Sequence, residues 1–225
     1  MTVAVVVPVY GNERTLRPLA QRLDAALAGR DWRLRLVVDA SPDDSAAVAA
    51  ELAADPRIAV TRLEVNVGQH AALARGLADE PDADAWVCLD ADLQDPPEAV
   101  PVLLDRLARG DVAAVFAGRR GAYESWLRRR TGDLHRRLAA GLTGLPPDAG
   151  AFLAMGPSVR RAVVTAVRDE GAPSVVLAVA RAGERVTSVP VAREARGEGR
   201  SAWTGRARLR QSARSLAWAA RVRSR

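Results

Sequence analysis

Short β-branched runs alternate with helix-spaced segments along the first half of this chain, and that alternation limits its fold more than any other feature. Val3 to Val7, Leu34 to Val38, Ile58 to Leu63, Ala85 to Leu89 and Val112 to Ala117 have the length and composition of buried strands. Between the first two, Thr15 to Leu27 sets Leu16, Leu19, Ala20, Leu23 and Leu27 at helical spacing. Asp44 to Ala54, Gln69 to Leu77 and Ala99 to Leu107 predict three more helices. Strands alternating with helices of this length predict an α/β fold, with a largely parallel sheet covered on both faces.

Beyond Gly118 the pattern changes. Arg119, Arg120, Arg128, Arg129 and Arg130 precede a helix predicted over Thr131 to Leu142. Asp148 to Phe152 is turn-like and leads into Leu153 to Met155. Ser158 to Val167 and Ser174 to Ala182 read as helices, and Val186 to Val191 as a last strand. No internal repeat and no clear linker interrupts the chain, and 225 residues suit one sizeable domain. That domain is expected over residues 1–203, with a separate helical tail over 204–225.

In such sheets ligands bind beyond the carboxyl ends of the strands. Polar clusters stand there: Tyr10 to Glu13, Asp39 to Asp43, Asn66 to Gln69 and Asp90 to Gln94. Four clusters at four equivalent strand ends predict one composite site. The richest is DADLQDPP, Asp90 to Pro97. Two carboxylates one residue apart are hard oxygen ligands, suited to Mg²⁺ or Mn²⁺ that shares its shell with substrate phosphates. An isolated Asp-x-Asp pair is more often a solvated loop or a helix cap. Asp95-Pro96-Pro97-Glu98 does read as a helix start, with Asp95 as N-cap. The two readings are compatible, because a helix would follow a metal patch at a strand end.

Charge is unevenly placed. All 33 basic residues are Arg, and residues 193–225 hold ten of them against two Glu. Arg206 to Val222 can be drawn as a basic amphipathic helix with Leu209, Ala213, Leu216, Ala217 and Ala220 on one side and Trp218 at a lipid–water boundary. The other reading is a surface helix packed on its own domain. No nucleic-acid-binding module accompanies the Arg residues. No apolar run reaches the roughly 18 residues of a membrane span, and no signal peptide is expected ahead of the first strand. The single Cys88 lies in an apolar strand as a core residue, which suits a reducing compartment. These features predict a cytoplasmic protein, peripheral at most on the cytoplasmic membrane face.

Taken together the motifs resemble the family 2 glycosyltransferases of the GT-A fold, in the dolichol- or polyprenyl-phosphate hexosyltransferase branch (dolichol-phosphate mannose synthase-like). The resemblance runs from Val3 to about Trp203. It rests on VVPVYGNE (Val6 to Glu13), VVDASPDD (Val37 to Asp44), NVGQHAALARG (Asn66 to Gly76) and DADLQDPPE (Asp90 to Glu98). GRR and ESWLRRRTGDL (within Gly118 to Leu134), DAGAF (Asp148 to Phe152) and RGEGRSAW (Arg196 to Trp203) follow in order. The resemblance implies a Rossmann-like sheet and an inverting, metal-dependent transfer of a hexose. The donor would be a GDP- or UDP-sugar and the acceptor a polyprenyl phosphate.

It also implies residue roles. Pro8, Tyr10 and Glu13 would lie along the nucleoside, and Asp39 would bind the base. Asp90, Asp92 and Gln94 would hold the metal and the sugar diphosphate. Arg119 and Arg130 would face phosphates, and Arg196 and Ser201 would belong to a loop that closes over the donor. Val38, Ala151, Ala202 and Trp203 depart from the family's pattern, chiefly on the acceptor side. A lipid phosphate needs no strong general base, since its second ionisation lies near 6. A hydroxyl acceptor does, and Asp148 is the candidate. His70 and His135 are expected to be structural or surface residues. A soluble enzyme acting on a small-molecule or peptide hydroxyl, and a silent nucleotide-sugar-binding protein, are the alternatives.

Overall fold

A computed structural model describes residues 1–120, 141, 143–194 and 218, with the side chains of Arg119 and Arg120 outside that description. Its strands are β1 (Thr2–Val9), β2 (Asp31–Asp39), β3 (Ile58–Leu63), β4 (Ala85–Cys88), β5 (Ala114–Arg120), β6 (Leu153–Met155) and β7 (Val186–Ala192). Its α-helices are α1 (Leu16–Ala26), α2 (Ser45–Leu52), α3 (Gln69–Asp79), α4 (Val100–Leu107), α5 (Pro157–Arg168) and α6 (Val175–Val179). The strands form one sheet in the order β3-β2-β1-β4-β6-β5-β7. β6 runs antiparallel to β4 and β5, and the other pairings are parallel.

The strand period decides which side chain faces which layer. Val3, Val5, Val7 and Val9 join Leu16, Leu19 and Leu23 of α1 and Leu103 and Leu104 of α4 in one core. Ala4 and Val6 face the other core, with Leu73 and Leu77 of α3, Trp86, Phe116, and Val159 and Val163 of α5. β1 is buried on both sides, as its continuous apolar run Val3 to Val7 predicts for a parallel strand. α3 lies close on the sheet at Gly76, where a Cβ would come within 2.4 Å of Val6 Cγ1 and 2.8 Å of Val37 Cγ2.

The predicted alternation holds, with three differences. β6 is a three-residue antiparallel strand inserted between parallel neighbours. The segment after the carboxylate motif starts as a 3-10 turn, Pro97–Ala99, with Pro96 rather than Asp95 at its cap position. The Asp95 carboxylate pairs instead with Arg193. Trp218 is 4% exposed and belongs to the core shared with α3, α5 and α6. Its indole is therefore taken up by the domain, not by a lipid–water boundary. Other residues of the expected tail helix lie outside the described residues. Among those described, no helix is long and apolar enough to cross a membrane. Cys88 is fully buried, and burial together with the Asp90 charge pushes its thiol well above the usual range, so it acts as a core residue.

Candidate active site

The strand register brings the four polar clusters side by side. Val9 pairs with Val38 and Asp39 with Leu63, so the turns after β1, β2 and β3 emerge as neighbours. β4 lies on the other side of β1, which places Asp90 next in line.

Hydrogen bonds join each turn to the next. Gly11 N–H donates to Ser41 Oγ at 2.8 Å and Asn12 N–H to Ser45 Oγ at 2.9 Å. Glu13 N–H donates to Asp43, and Asp44 N–H returns a bond to the Glu13 carboxylate, both at 3.1 Å. Burial alone would raise the Asp43 carboxyl. Bonds from Ser41, from Ser45 and from the Glu13 and Ser45 backbones outweigh it and hold the group at about 2. Asp39 joins the second turn to the third. It is 2% exposed, its Oδ1 accepts Val67 N–H at 2.7 Å and its Oδ2 accepts Gly68 N–H at 2.8 Å. Gly68 has φ of +89°, a conformation open to glycine at little cost. The third turn reaches the fourth through Gln69, whose Nε2 donates to Asp90 Oδ1 at 2.5 Å. The four turns are thus one bonded surface at the carboxyl edge of the sheet.

Asp90 and Asp92 stand in the turn after β4, with Gln94 N–H donating to Asp92 Oδ1 at 3.1 Å. Among the described residues no group of three or more His, Cys, Asp or Glu is placed to hold a metal. A pair of carboxylates does not make an all-protein structural site. It does fit Mg²⁺ or Mn²⁺ that completes its shell with waters and substrate phosphates.

The other predicted residues divide by position. Pro8 is half-buried at the end of β1, and Tyr10 is 48% exposed beyond it. Asp148 is half-buried and accepts a bond from Ser188 Oγ of β7 at 3.2 Å. The backbone at Gly118 makes room for it, since a Cβ there would fall 2.1 Å from Asp148 Oδ2. Arg119 follows in β5, with its backbone paired to Val191. Arg130, Arg196, Ser201 and His135 lie outside the described residues. Gln69 was expected at the site as the end of the Asn66 to Gln69 cluster, but its bond to Asp90 was not; Gly118 and Ser188 were missed, although Gly118 opens the GRR motif. Ser188 had no such signal, being one polar residue in an ordinary strand.

The sequence model named "Glycosyl transferase family 2" matches residues 4–162, from β1 into α5. The chain belongs to this family. An undecaprenyl-phosphate 4-deoxy-4-formamido-L-arabinose transferase of Enterobacter sp. (strain 638) is 36% identical to it over 170 residues, 73% of this chain and 50% of that protein. A dolichol-phosphate mannosyltransferase of Pyrococcus furiosus is 34% identical over 128 residues, 56% of this chain and 36% of that protein. This family 2 glycosyltransferase therefore spans about half the length of the curated relatives it matches. Among solved structures, glucosyl-3-phosphoglycerate synthase from Mycobacterium tuberculosis, in complex with Mn²⁺, UDP and glucosyl-3-phosphoglycerate, superimposes with a TM-score of 0.66. It is 20% identical and the match covers 99% of this chain and 79% of that one. The fold is the GT-A fold, in agreement with the α/β reading of the sequence.

His70, in the first turn of α3, is expected to make the domain's stability acid-sensitive. Its Nδ1 is buried without a hydrogen-bond partner, and burial lowers its pKa to about 4. The unfolded chain, with a His pKa near 6.5, then binds more protons than the folded one between these values. Stability from this residue is complete above pH 6.5 and is lost as pH falls toward 4. At pH 5 the loss is about 2 kcal/mol. Melting temperatures recorded from pH 7 to 5 should fall, and His70→Gln should flatten that slope; an unchanged slope refutes the assignment.

Proposed function

We propose that the chain transfers a hexose, with inversion, from a GDP- or UDP-sugar to a polyprenyl phosphate. The observation that carries this reading is the bonded row of four strand-end turns closing on Asp90 and Asp92. The names of the Enterobacter and Pyrococcus relatives, which contain undecaprenyl phosphate and dolichol phosphate, support the acceptor class.

Asp90 and Asp92, with Gln94, would hold Mg²⁺ or Mn²⁺ against the donor's diphosphate. When bound, that cation supplies positive charge for the leaving nucleoside diphosphate. Asp39 holds the Val67–Gly68 turn and presents its remaining lone pairs to the base, beside Pro8, Tyr10 and Glu13. Arg119, Arg130, Arg196 and Ser201 complete the phosphate contacts from the segments that follow; Arg suits this task because its fork binds phosphate at two points. An acceptor phosphate is already a competent nucleophile, so no side chain need remove a proton. The seven Arg of residues 204–225 give the tail the charge to meet anionic lipid on the cytoplasmic membrane face.

The test is a thermal-shift screen of UDP- and GDP-sugars with and without Mn²⁺. At a donor concentration about 100 times its Kd, stabilisation is about 2.7 kcal/mol, a rise of roughly 5–10 °C for a domain of this size. The rise should require both the sugar nucleotide and the cation. No rise with any donor would refute the donor half of the reading.

One observation favours a hydroxyl acceptor as a second reading: Asp148 is held by Ser188 in a space that Gly118 leaves open. Gly118→Ala should push this carboxylate aside, since the new Cβ would fall 2.1 Å from Asp148 Oδ2, and it also crowds the Val189 carbonyl at 3.3 Å, so circular dichroism is recorded beside activity. Loss of a positioned base lowers turnover about 10²-fold or more. Transfer of labelled sugar to lipid phosphate should survive this substitution, whereas transfer to a hydroxyl should not.

A further inference from the structure

The carboxylate turn is fastened from the far edge of the sheet. Leu93, between Asp92 and Gln94, has φ of +60°, the left-handed region where a bulky side chain is strained. Such a conformation persists only where the surroundings over-determine it. Gln94 N–H donates to Asp92 Oδ1 at 3.1 Å from within the turn. Two further bonds come from the residues just after β7. Glu194 N–H donates to the Gln94 carbonyl at 2.9 Å, and Arg193 Nε donates to Asp95 Oδ1 at 2.5 Å across a sequence separation of 98. Behind them, Arg22 of α1 holds Glu98 at 2.6 Å and Glu194 at 2.5 Å, and its bond keeps the Glu98 carboxyl below the usual carboxylate range.

This is an inefficient way to gain stability. Asp95 is 3% exposed and its Oδ2 is buried without a hydrogen-bond partner. Burying an ion pair gains little over apolar residues of the same volume, and an orphaned oxygen adds a desolvation cost. What a charge pair supplies, and an apolar contact does not, is a defined direction for the backbone on either side.

We propose that Arg193, Asp95 and the Arg22 bridge are positioning residues that hold the Asp90–Gln94 turn in its cation-binding shape, so that the end of β7 sets the divalent-cation affinity of the donor site. This rests on the glycosyl-transfer reading of Asp90 and Asp92. The residues act through the backbone of Gln94 and the strained Leu93, and not by contact with the cation.

The experiment measures Mn²⁺ affinity of the full chain with UDP or GDP present, by the electron paramagnetic resonance of free Mn²⁺. The pair is neutralised together, as Asp95→Asn with Arg193→Gln, so that no lone charge stays buried. Mn²⁺ binding should weaken about tenfold, the lower end of what outer-shell partners contribute. Adding Leu93→Gly should recover part of that loss, because glycine takes φ of +60° at no Cβ cost; a pair that merely stabilised the fold would give no such rescue. Arg22→Met, on the partly exposed outer bond, should weaken binding by the same route, by less than the pair variant and by more than twofold, and it decides the matter if the pair variant fails to fold. Mn²⁺ affinity within twofold of wild type in the folded pair variant, or in Arg22→Met where the pair variant does not fold, overturns the proposal. So does a loss that Leu93→Gly leaves unchanged. A wild-type chain that takes up no Mn²⁺ with either nucleotide overturns the donor-site reading, and the clamp with it.

Discussion

Asp92→Ala is expected to lower sugar transfer by about 10²- to 10³-fold, the range seen when a principal electrostatic group is removed from a transition state. Asp92 is half-buried in the turn after β4 and is not itself part of either hydrophobic core. Its Oδ1 accepts the Gln94 N–H, a bond worth about 1 kcal/mol in net stability. The fold should therefore survive, with a melting temperature lowered by only a few degrees. Asp92→Asn keeps an acceptor for Gln94 and loses the charge. If Asp92 serves as a cation ligand, Asn should be nearly as inactive as Ala yet more stable. Metal-dependent release of nucleoside diphosphate, measured beside circular dichroism, reads both effects. Full activity in Asp92→Ala would sink the cation site at this turn.

Asp39→Ala should have the opposite profile, with a large loss of stability. The carboxylate of Asp39, itself 2% exposed, satisfies the Val67 and Gly68 N–H groups. Removing it strands both donors, and hydrogen bonds to charged groups contribute about 1.5–3 kcal/mol each. A total near 3 kcal/mol lowers the melting temperature by roughly 6–12 °C for a domain of this size. Donor binding should weaken as well, since the turn that Asp39 holds opens α3 and carries Gln69 toward Asp90. Asp39→Asn, which retains one acceptor oxygen, should lose less. Unchanged thermal stability in Asp39→Ala would show that the turn holds itself.

These two residues mark how far the sequence could be read. Asp92 was legible because its type, its spacing from Asp90 and its place after an apolar run all point to oxygen-ligand chemistry. Asp39 was legible as a strand-end carboxylate, but its structural duty was not. Its partners are backbone N–H groups 28 and 29 residues away, and backbone donors carry no residue signature. Asp95 was assigned to a helix cap on local pattern, and a distant Arg193 claimed it. Trp218 was drawn on an amphipathic helix with its indole at a lipid boundary, and the core of the domain took it instead.

By itself the sequence determined the alternation of strand and helix, the burial of the sheet on both faces, the gathering of polar residues at strand ends and, through its motifs, the family. Each of these depends on periodicity and chain order, which a linear text contains. The tertiary structure alone decided that β6 enters the sheet reversed, that the four turns bond in the row β1, β2, β3, β4, and that the end of β7 holds the turn bearing Asp90 and Asp92. Those facts depend on which distant groups satisfy one another once water is excluded. Satisfaction of buried polar groups is settled in three dimensions, among partners that no local pattern names.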